Sequence, residues 1–324
     1  MTDQITRGIL LGSALALTAA SAVRADQDYP NRPIRWIVPY SPGGSTSWTA
    51  RLVGEHLTSV WGQQVLVDNR PGANTVIGTD AGAKSKPDGY TVLYIGSALC
   101  SNVTLVKNLP YDTLKDIAPI ATMWGYENVF VVHPSLPVKT VKEFVALAKK
   151  RPGELMFASS SHGGSTNLAP RLFNMVAKIE TTQVPYKGAG NAMIDVIGGQ
   201  VQYFMSVPVN IVPHVRSGKL RAIAVTGDKR ISAFPDVPSM AELGYPEVSM
   251  NTWHGVGAPA GMPKSIIDKI ATEIQKFVAM PETHKKLDAQ GFVPYFNGPE
   301  ETARMIKNDI DRFGKIIKAA NIKY

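Results

Sequence analysis

Short apolar runs recur along the chain and have the length and composition of β-strands. They are rich in β-branched and aromatic residues and are bounded by polar or glycine-containing segments. The seven predicted strands are IRWIVPY at 34–40, QVLVDN at 64–69, YTVLYIG at 90–96, NVFVVH at 128–133, LMFASS at 155–160, VQYFMS at 201–206 and RAIAVTG at 221–227.

Segments with helical periodicity lie between these runs. In the clearest of them, apolar residues recur three and four positions apart from Leu52 to Trp61. Another opens with Thr140 and Glu143 in the spacing of a capping box and stops before a Pro-Gly pair. Because strands alternate with helices, the pattern predicts an α/β fold with mostly parallel sheets. The predicted helices are 49–61, 140–150, 265–278 and 299–319.

One twelve-residue segment occurs twice in nearly the same form. SPGGSTSWTARL begins at Ser41, SHGGSTNLAPRL begins at Ser161, and seven of the twelve positions agree. The copies are 120 positions apart, which is far longer than the roughly 20–50 residues of a solenoid repeat. That spacing is close to the length of a domain. The repeat therefore predicts two domains that each present the same structural device.

Each copy follows a predicted strand and precedes a helix. The Gly-Gly pair, at 43–44 and 163–164, permits a tight turn and lets backbone N–H groups approach a ligand closely. The Ser-Thr pair, at 45–46 and 165–166, stands where a helix N-cap belongs. A helix start has unpaired N–H donors and the positive end of the helix dipole, so this order is typical of an anion site. One copy could serve only as a helix cap, but two copies favour two cradles that face each other across a cleft.

Two segments are candidates for the crossings between the domains. One is MWGYEN at 123–128, and the other is the proline- and glycine-rich run over 228–263. We expect both crossings to form a hinge, with the ligand cleft between the lobes. The predicted division is lobe 1 over 26–124 and 227–324, and lobe 2 over 125–226.

The N-terminal segment is typical of an export signal. The apolar run ILLGSALALTAASA follows a short segment with one basic residue and ends in small residues. We take residues 1–25 as a signal peptide and residues 26–324 as a mature protein of the periplasm. A buried N-terminal helix is the alternative.

Composition excludes several classes of protein. The 324 residues are 44% hydrophobic and 19% charged, which suits packed cores and not disorder. The net charge is +8, or +7 without residues 1–25, and it attracts anions. The basic residues are scattered, so nucleic-acid binding is not expected. The single cysteine, Cys100, predicts no internal disulfide and a buried small apolar residue.

Several separated motifs resemble those of a known family. The chain is similar to the Bug-type extracytoplasmic solute receptors of tripartite tricarboxylate transporters, from about Tyr29 to its C-terminus. The resemblance implies a two-lobed periplasmic-binding-protein fold, a flytrap with a helix-flanked β-sheet in each lobe. It also implies a small carboxylate as ligand, membrane transporter subunits as partners, no cofactor and a monomer. The motifs are YPNRPIRWIVPYSPGG, NRPGANTVIGTDAGAKSKPDGYTVL, VPYKGAGNAMIDVIGGQVQYFM, SGKLRAIAVTGDKR and FPDVPSMAELGYPEV.

In the family the two strand–loop–helix motifs wrap a ligand carboxylate, and two further loops reach the cleft. Two positions depart from the family pattern, because Ser47 and Ser206 stand where relatives usually have Asp. A less negative pocket suits a second carboxylate or an aromatic ring, and it suits an ammonium group less. The complete set of predicted ligand-binding residues is Ser41, Gly43, Gly44, Ser45, Thr46, Ser47, Trp48, Ser97, Ala98, Ser161, His162, Gly163, Gly164, Ser165, Thr166, Asn167, Tyr186 and Ser206.

Aromatic and histidine residues near these motifs leave alternatives open. Trp48, Trp124 and Tyr126 either face an aromatic acid or pack in the core and hinge, and Trp48 is the strongest candidate because it follows the first motif directly. His162 either donates to a carboxylate or lies in solvent. No histidine pair has the spacing of a metal site, so no metal is expected.

Three function classes remain to be compared. The main prediction is a receptor that delivers a carboxylate, either a dicarboxylate or an aromatic one, to a transporter. A periplasmic partner of a membrane sensor would have the same pocket. A secreted hydrolase is disfavoured, because adjacent Ser161 and His162 rarely form a productive nucleophile–base pair and no G-x-S-x-G elbow is present.

Overall fold

The computed structural model describes residues 29–42, 45–160, 163–186 and 188–322. The predicted signal peptide, residues 1–25, lies outside the described residues. The strands are β1 (Ile34–Val38), β2 (Val65–Asn69), β3 (Thr91–Gly96), β4 (Ile117–Tyr126), β5 (Val129–Val132), β6 (Met156–Ser159), β7 (Thr182–Pro185), β8 (Tyr203–Ser206), β9 (Arg221–Val225), β10 (Thr252–Pro259) and β11 (Val293–Asn297).

The helices alternate with these strands, as the periodicity predicts. Thr140 caps its helix through a complete capping box with Glu143, which confirms the predicted start. The helices are α1 (Ser45–Trp61), α2 (Val76–Ala83), α3 (Ser97–Leu105), α4 (Val141–Lys150), α5 (Ser165–Ala177), α6 (Ala189–Ile197), α7 (Pro208–Arg216), α8 (Lys264–Ala279), α9 (Pro281–Asp288) and α10 (Pro299–Ala319).

The strands form two sheets, which supports the predicted α/β class. The first sheet has the order β11-β4-β10-β3-β1-β2, and the second has the order β7-β6-β8-β5-β9. In the first, β1 pairs in parallel with β2 and β3, whereas β10 runs antiparallel to β3 and β4. In the second, β6 is parallel to β7 and β8, whereas β5 is antiparallel to β8 and β9. The expectation of mostly parallel sheets is therefore wrong, since each sheet is mixed.

Both faces of each sheet are covered by helices. Along β1, Trp36 and Val38 pack in one cluster with α1 and α8, while Ile37 between them faces a second cluster. Successive side chains of a strand point to opposite faces, so a strand buried on both faces reads as a continuous apolar run. The second cluster continues without interruption into one face of the second sheet through Phe130 and Tyr203. The two sheets therefore share apolar packing.

All seven strands predicted from apolar runs are present, but four more were missed. Strands β4 and β10 contain proline and glycine, which the sequence pattern treats as breakers. Position 255 in β10 requires glycine, because a Cβ there would stand 2.3 Å from the carbonyl oxygen of Ala121 on β4. A close approach between two backbones thus places glycine inside a buried strand.

The chain crosses between the sheets at two places, and the crossings are bonded together. The first crossing, residues 127–128, leads from β4 to β5, and the second leads from β9 back to β10. The backbone N–H of Asn128 donates to Thr226 Oγ1 at 2.8 Å, and Thr226 Oγ1 donates to Glu127 Oε2 at 2.8 Å. A Cβ at Gly227, where φ is +111°, would lie 2.5 Å from the carboxyl carbon of Glu127. The Glu127 carboxyl therefore occupies the space beside the second crossing.

The predicted division into lobes agrees with the sheets for most strands and stays a prediction in its exact bounds. Strands from 34 to 126 and from 252 to 297 belong to the first sheet, and strands from 129 to 225 belong to the second. Ile231 and Phe234 pack in a cluster with residues of the second sheet. This packing favours placing the segment up to about residue 237 with the second lobe rather than with the first.

Candidate functional site

A cavity of about 260 Å³ lies where the two sheets meet. Its wall includes residues from the carboxyl ends of β4 and β8 and residues that directly follow β3 and β6. Ligands of α/β proteins bind at this edge of parallel strands. Its described wall consists of Tyr40, Thr46, Asn74, Ser97, Ala98, Tyr126, Ser160, Gly163, Gly164, Ser165, Thr166, Leu168, Ala189, Ser206, Val207, Asn210, Met250, Thr252, His254 and Phe313.

Six of the helices begin at this wall. The first turns of α1, α3, α5 and α6 contribute wall residues directly, Val207 is the N-cap residue of α7, and Asn74 precedes the N-cap residue of α2. Each helix start has N–H donors without an intrahelical acceptor and the positive end of a dipole. None of the described wall residues is Asp, Glu, Lys or Arg. An anion in the cavity would therefore be bound by uncharged hydrogen-bond donors and by helix dipoles.

The first repeated motif contributes one described wall residue, Thr46. Ser47 is buried behind it, and its Oγ donates to Asn69 Oδ1 at 3.2 Å at the end of β2. Trp48 is 38% exposed and lies outside the described wall, as does the exposed Ser41. Gly43 and Gly44, like the side chain of Ser45, lie outside the described residues.

The second motif contributes five wall residues, which are Gly163, Gly164, Ser165, Thr166 and Leu168. The Thr166 hydroxyl accepts the backbone N–H of Ser160 at 3.1 Å and so closes the turn between β6 and α5. Residues of both motifs thus line the same cavity. Of the other predicted ligand-binding residues here, Ser161 and His162 lie outside the described residues.

Asn167 and Tyr186, two further predicted ligand-binding residues, serve internal contacts. Asn167 is buried, and its Nδ2 donates to Ser159 Oγ at 3.3 Å. Tyr186 donates its hydroxyl to Asp195 Oδ2 at 2.7 Å. Neither is part of the described wall, so their ligand contact remains a prediction without geometric support.

Gly163 joins the second motif to a helix of the first sheet. Its carbonyl oxygen accepts the hydroxyl of Ser101 on α3 at 3.0 Å. A Cβ at Gly163 would lie 2.2 Å from Leu105 Cδ1 and 2.8 Å from Asn74 Nδ2. Close packing between elements of the two sheets therefore explains glycine at 163, the first position of the Gly-Gly pair.

The loop before α2 has an unusual backbone. Ala73, Asn74 and Thr75 have φ values of 45°, 51° and 77°, all in the left-handed region that non-glycine residues rarely adopt. Buried Asn102 on α3 holds this loop, because it accepts from Asn74 Nδ2 at 2.7 Å and donates to the Asn74 carbonyl at 2.8 Å. Strained backbone of this kind concentrates at ligand sites, where the surrounding structure over-determines it.

One side of the cavity is aromatic. His254 on β10 stacks on Tyr126, with ring centroids 5.6 Å apart, and contacts Tyr94 at 5.4 Å. Burial without an acidic partner lowers the pKa of His254 to about 3, so its ring is neutral at physiological pH. Tyr126 lines the cavity, whereas Trp124 lies in the core and donates its indole N–H to Tyr94 at 3.3 Å.

Sequence reasoning assigned eight of the described wall residues to the ligand site, left Tyr126 as an open alternative and missed the others. The eight lie in the motifs and at Ser97, Ala98 and Ser206. Thr252 and His254 were missed because β10 returns to the first sheet from far along the chain. The one sequence signal for β10 is its run of apolar residues, and the two glycines within that run interrupt it.

Known proteins resemble this chain over most of its length. The family model described as the tripartite tricarboxylate transporter family receptor matches residues 49–322. Protein BugT of Bordetella pertussis is 36% identical over 316 residues, which are 97% of this chain and 97% of that protein.

Three solved structures share the fold. A protein of R. palustris solved with adipate is 31% identical, with a TM-score of 0.84 over 91% of this chain and 99% of that one. The periplasmic binding protein BugD is 29% identical, with a TM-score of 0.81 over 91% and 99%. MatC from Rhodopseudomonas palustris with bound malate is 26% identical, with a TM-score of 0.78 over 89% and 100%.

These likenesses confirm the predicted fold class, which is the two-lobed fold of periplasmic binding proteins. None of the helices in the described part of the chain is long and apolar enough to cross a membrane. The cavity between the sheets, with both repeated motifs in its wall, is the feature that such a receptor requires. The chain belongs to the receptor family of the tripartite tricarboxylate transporters.

Proposed function

We propose that this protein is a periplasmic receptor that clamps a small organic carboxylate between its lobes and delivers it to a tripartite tricarboxylate-type transporter. The observation that carries the proposal is the shared cavity, in whose wall residues of both repeated motifs meet. A ligand held by both motifs contacts both lobes only while the cleft is closed. Binding then favours the closed state by the free energy of those contacts.

A carboxylate fits the donors that the cavity provides. A hydrogen bond to a charged group contributes roughly 1.5–3 kcal/mol, and a helix terminus adds about 0.3–1 kcal/mol. Four such bonds, less the cost of immobilising the ligand, are compatible with a Kd of about 1 μM or tighter. The volume of about 260 Å³ is slightly below the roughly 300–1,000 Å³ of sites for drug-sized ligands, so the ligand is small.

The substrate class that we favour is a dicarboxylate or an aromatic carboxylate. Two neighbours in fold were solved with adipate and with malate, which supports a carboxylate here. Ser206 is uncharged, and the described wall offers an ammonium group no carboxylate partner. An amino acid would therefore desolvate its ammonium group beside helix N-termini, at a cost that the cavity does not repay.

A screen of carboxylates tests this function. Thermal shift with mono-, di- and tricarboxylates, aliphatic and aromatic, should identify acids that raise the Tm, and calorimetry should give their Kd. Mass spectrometry after incubation should recover the stabilising acid unchanged, as expected for a receptor that is not an enzyme. Tight binding of amino acids without any dicarboxylate or aromatic acid would overturn the substrate class, and turnover of the acid would overturn the receptor.

Delivery requires a separate experiment in cells. Deletion of the gene should abolish uptake of the labelled acid, and the protein should be captured by the membrane subunits of the transporter. Unchanged uptake together with loss of a transcriptional response to the acid would instead support a partner of a membrane sensor.

The purified protein should remain a monomer on gel filtration with and without the acid.

A further inference from the structure

Three polar groups in the cavity wall have no hydrogen-bond partner among the described residues, and they belong to Ser206, Thr252 and His254. Ser206 ends β8 in the second sheet and is 0% exposed, and its Oγ is unpaired. His254 lies on β10 in the first sheet and is 6% exposed, and its Nδ1 is unpaired. A buried polar group left unpaired costs about 1–3 kcal/mol. A structure that keeps three of them in one cavity indicates that something else satisfies them. Thr252 lies beside the Tyr126 hydroxyl, which leaves Ser206 and His254 as the pair on opposite sheets.

Ser206 and His254 lie outside the two repeated motifs, on strands whose pairing fixes their positions. Ser206 is placed by pairing with Val129, directly after the first crossing. His254 is placed by pairing with Gly96 and by its stack on Tyr126. They therefore stand on strands of opposite sheets, and a group that bonds both would also connect both lobes.

We propose that Ser206 and His254 together hold a second oxygen-bearing group of the ligand, apart from the carboxylate that the motifs bind. This inference rests on the proposed function and narrows it. The ligand is then a diacid or an acid with a distal hydroxyl or carbonyl oxygen, and not an acid whose far end is apolar. Ser206 and His254 are specificity-determining residues of the receptor.

The chemistry of both groups suits an oxygen acceptor. A serine hydroxyl donates one hydrogen bond and accepts others, and a neutral imidazole has one donor and one acceptor. An apolar group in the same place would bury both without a partner. Sites that are built to hydrogen-bond a substrate oxygen reject the analogue that lacks it far more strongly than an apolar pocket discriminates by size.

Matched pairs of acids test the inference by calorimetry on the full-length mature protein. The pairs are glutarate with pentanoate, adipate with hexanoate, and terephthalate with 4-methylbenzoate, each equal in length and different at the far end. For the pair that fits the cavity, we expect the diacid to bind about 100-fold more tightly or better. Equal affinity within every pair would overturn the inference.

Substitutions then assign the effect to the two residues. Ser206→Ala and His254→Phe, the latter keeping a ring against Tyr126, should each weaken the diacid about tenfold or more and change the monoacid less than about threefold. A purely structural role would move both acids together. The matched control is Thr113→Val, which removes a buried hydroxyl that is likewise unpaired but lies outside the described wall.

The failure of the inference differs from the failure of the proposed function. If monoacids and diacids bind alike and Ser206→Ala changes neither, water satisfies the two groups and the receptor still binds carboxylates. If no acid of any pair binds the wild-type protein, the carboxylate function itself is wrong and this inference is wrong with it. Loss of diacid binding alone in both variants supports both.

Discussion

The two repeated motifs are similar in sequence but differ in what their side chains contact. In the first, the hydroxyls of Ser47 and Thr49 bond to Asn69 and Tyr94, which belong to the first sheet. In the second, Gly163 accepts a hydrogen bond from α3 of the first sheet. The first motif is thus anchored on its own sheet, whereas the second touches the opposite one.

This difference shows that two copies of one sequence can have the same backbone conformation and yet contribute differently to closure of the cleft. Both copies place a helix start at the cavity, because the Gly-Gly turn and the Ser-Thr pair act locally. What lies opposite each turn depends on packing between the sheets. Substitutions in the two motifs should therefore differ in their effects, whereas Glu127 lies at the crossings between the two sheets.

The largest effect is expected at the contact that only the second motif makes. Gly163→Ala places a Cβ against Leu105 and Asn74, and overpacking of this kind costs about 1–3 kcal/mol. Because the clash lies between the sheets, opening the cleft relieves it. We expect ligand affinity to fall roughly 5–150-fold in calorimetry while the Tm of the unliganded protein changes little.

The matched control for that substitution is Gly190→Ala in α6, where a Cβ would have open space and alanine favours the helix. It should leave affinity unchanged. A Gly163→Ala protein that binds as tightly as Gly190→Ala would show that closure does not need this contact.

The next effect concerns Glu127, between the crossings. Burial raises its pKa from 4.5 to about 7, while the Thr226 hydroxyl, the backbone N–H of Asn251 and the charge of Arg312 lower it and Asp228 raises it. Tyr295 and Asp309 also face this group of charges, and Asp309 pairs with Arg312 at 3.0 Å. A protein whose carboxyl pKa is raised on folding binds a proton more readily when folded.

The sign of the pH dependence follows. The contribution of Glu127 to stability is fully present below about pH 4.5 and is lost as the pH rises through about 7. Glu127→Gln removes this loss, so the variant should match the wild type near pH 4. At pH 8 it should be more stable by on the order of 2 kcal/mol, which is measured as a higher Tm. Exposed Glu247→Gln is the control, and parallel Tm curves for wild type and Glu127→Gln would contradict the assignment.

A smaller effect separates the two equivalent threonines. Thr166→Val leaves the backbone N–H of Ser160 without its acceptor. It should lower the stability of the unliganded protein by about 1–2 kcal/mol, which is measured as a lower Tm. Thr46→Val removes a wall hydroxyl and should weaken binding with little change in Tm. The double replacement should weaken binding by more than either alone. Equal Tm losses for both single variants would remove the contrast between the motifs.

The smallest effect tests the anchoring of the first motif. Ser47→Ala deletes the hydrogen bond to Asn69 behind the cavity and should cost about 0.5–1 kcal/mol of stability, measured by denaturant unfolding. Affinity should follow only as far as α1 shifts. The control is Ser59→Ala, whose hydroxyl bonds within the same helix on the exposed side. A large loss of affinity with unchanged stability would instead place Ser47 in contact with ligand.

Local patterns in the chain were sufficient for the class of fold and for the two helix starts that the repeated motifs place at one cavity. The seven apolar runs became strands, and the Thr140–Glu143 box became a helix start, because propensity and capping act between near neighbours. The doubled motif placed two helix starts at one cavity, since each motif contains its own turn and cap. These properties are written within about a dozen residues.

Long-range packing settled the remainder of the site. Thr252 and His254 reach the wall because β10 pairs with β3 and β4. Of these two strands, even the nearer one in sequence, β4, precedes β10 by more than 120 residues. The pKa of His254 and the unpaired Ser206 hydroxyl depend on burial, and burial depends on neighbours from distant segments. A linear pattern records which residues are apolar or polar, but it does not record which of them will share a wall.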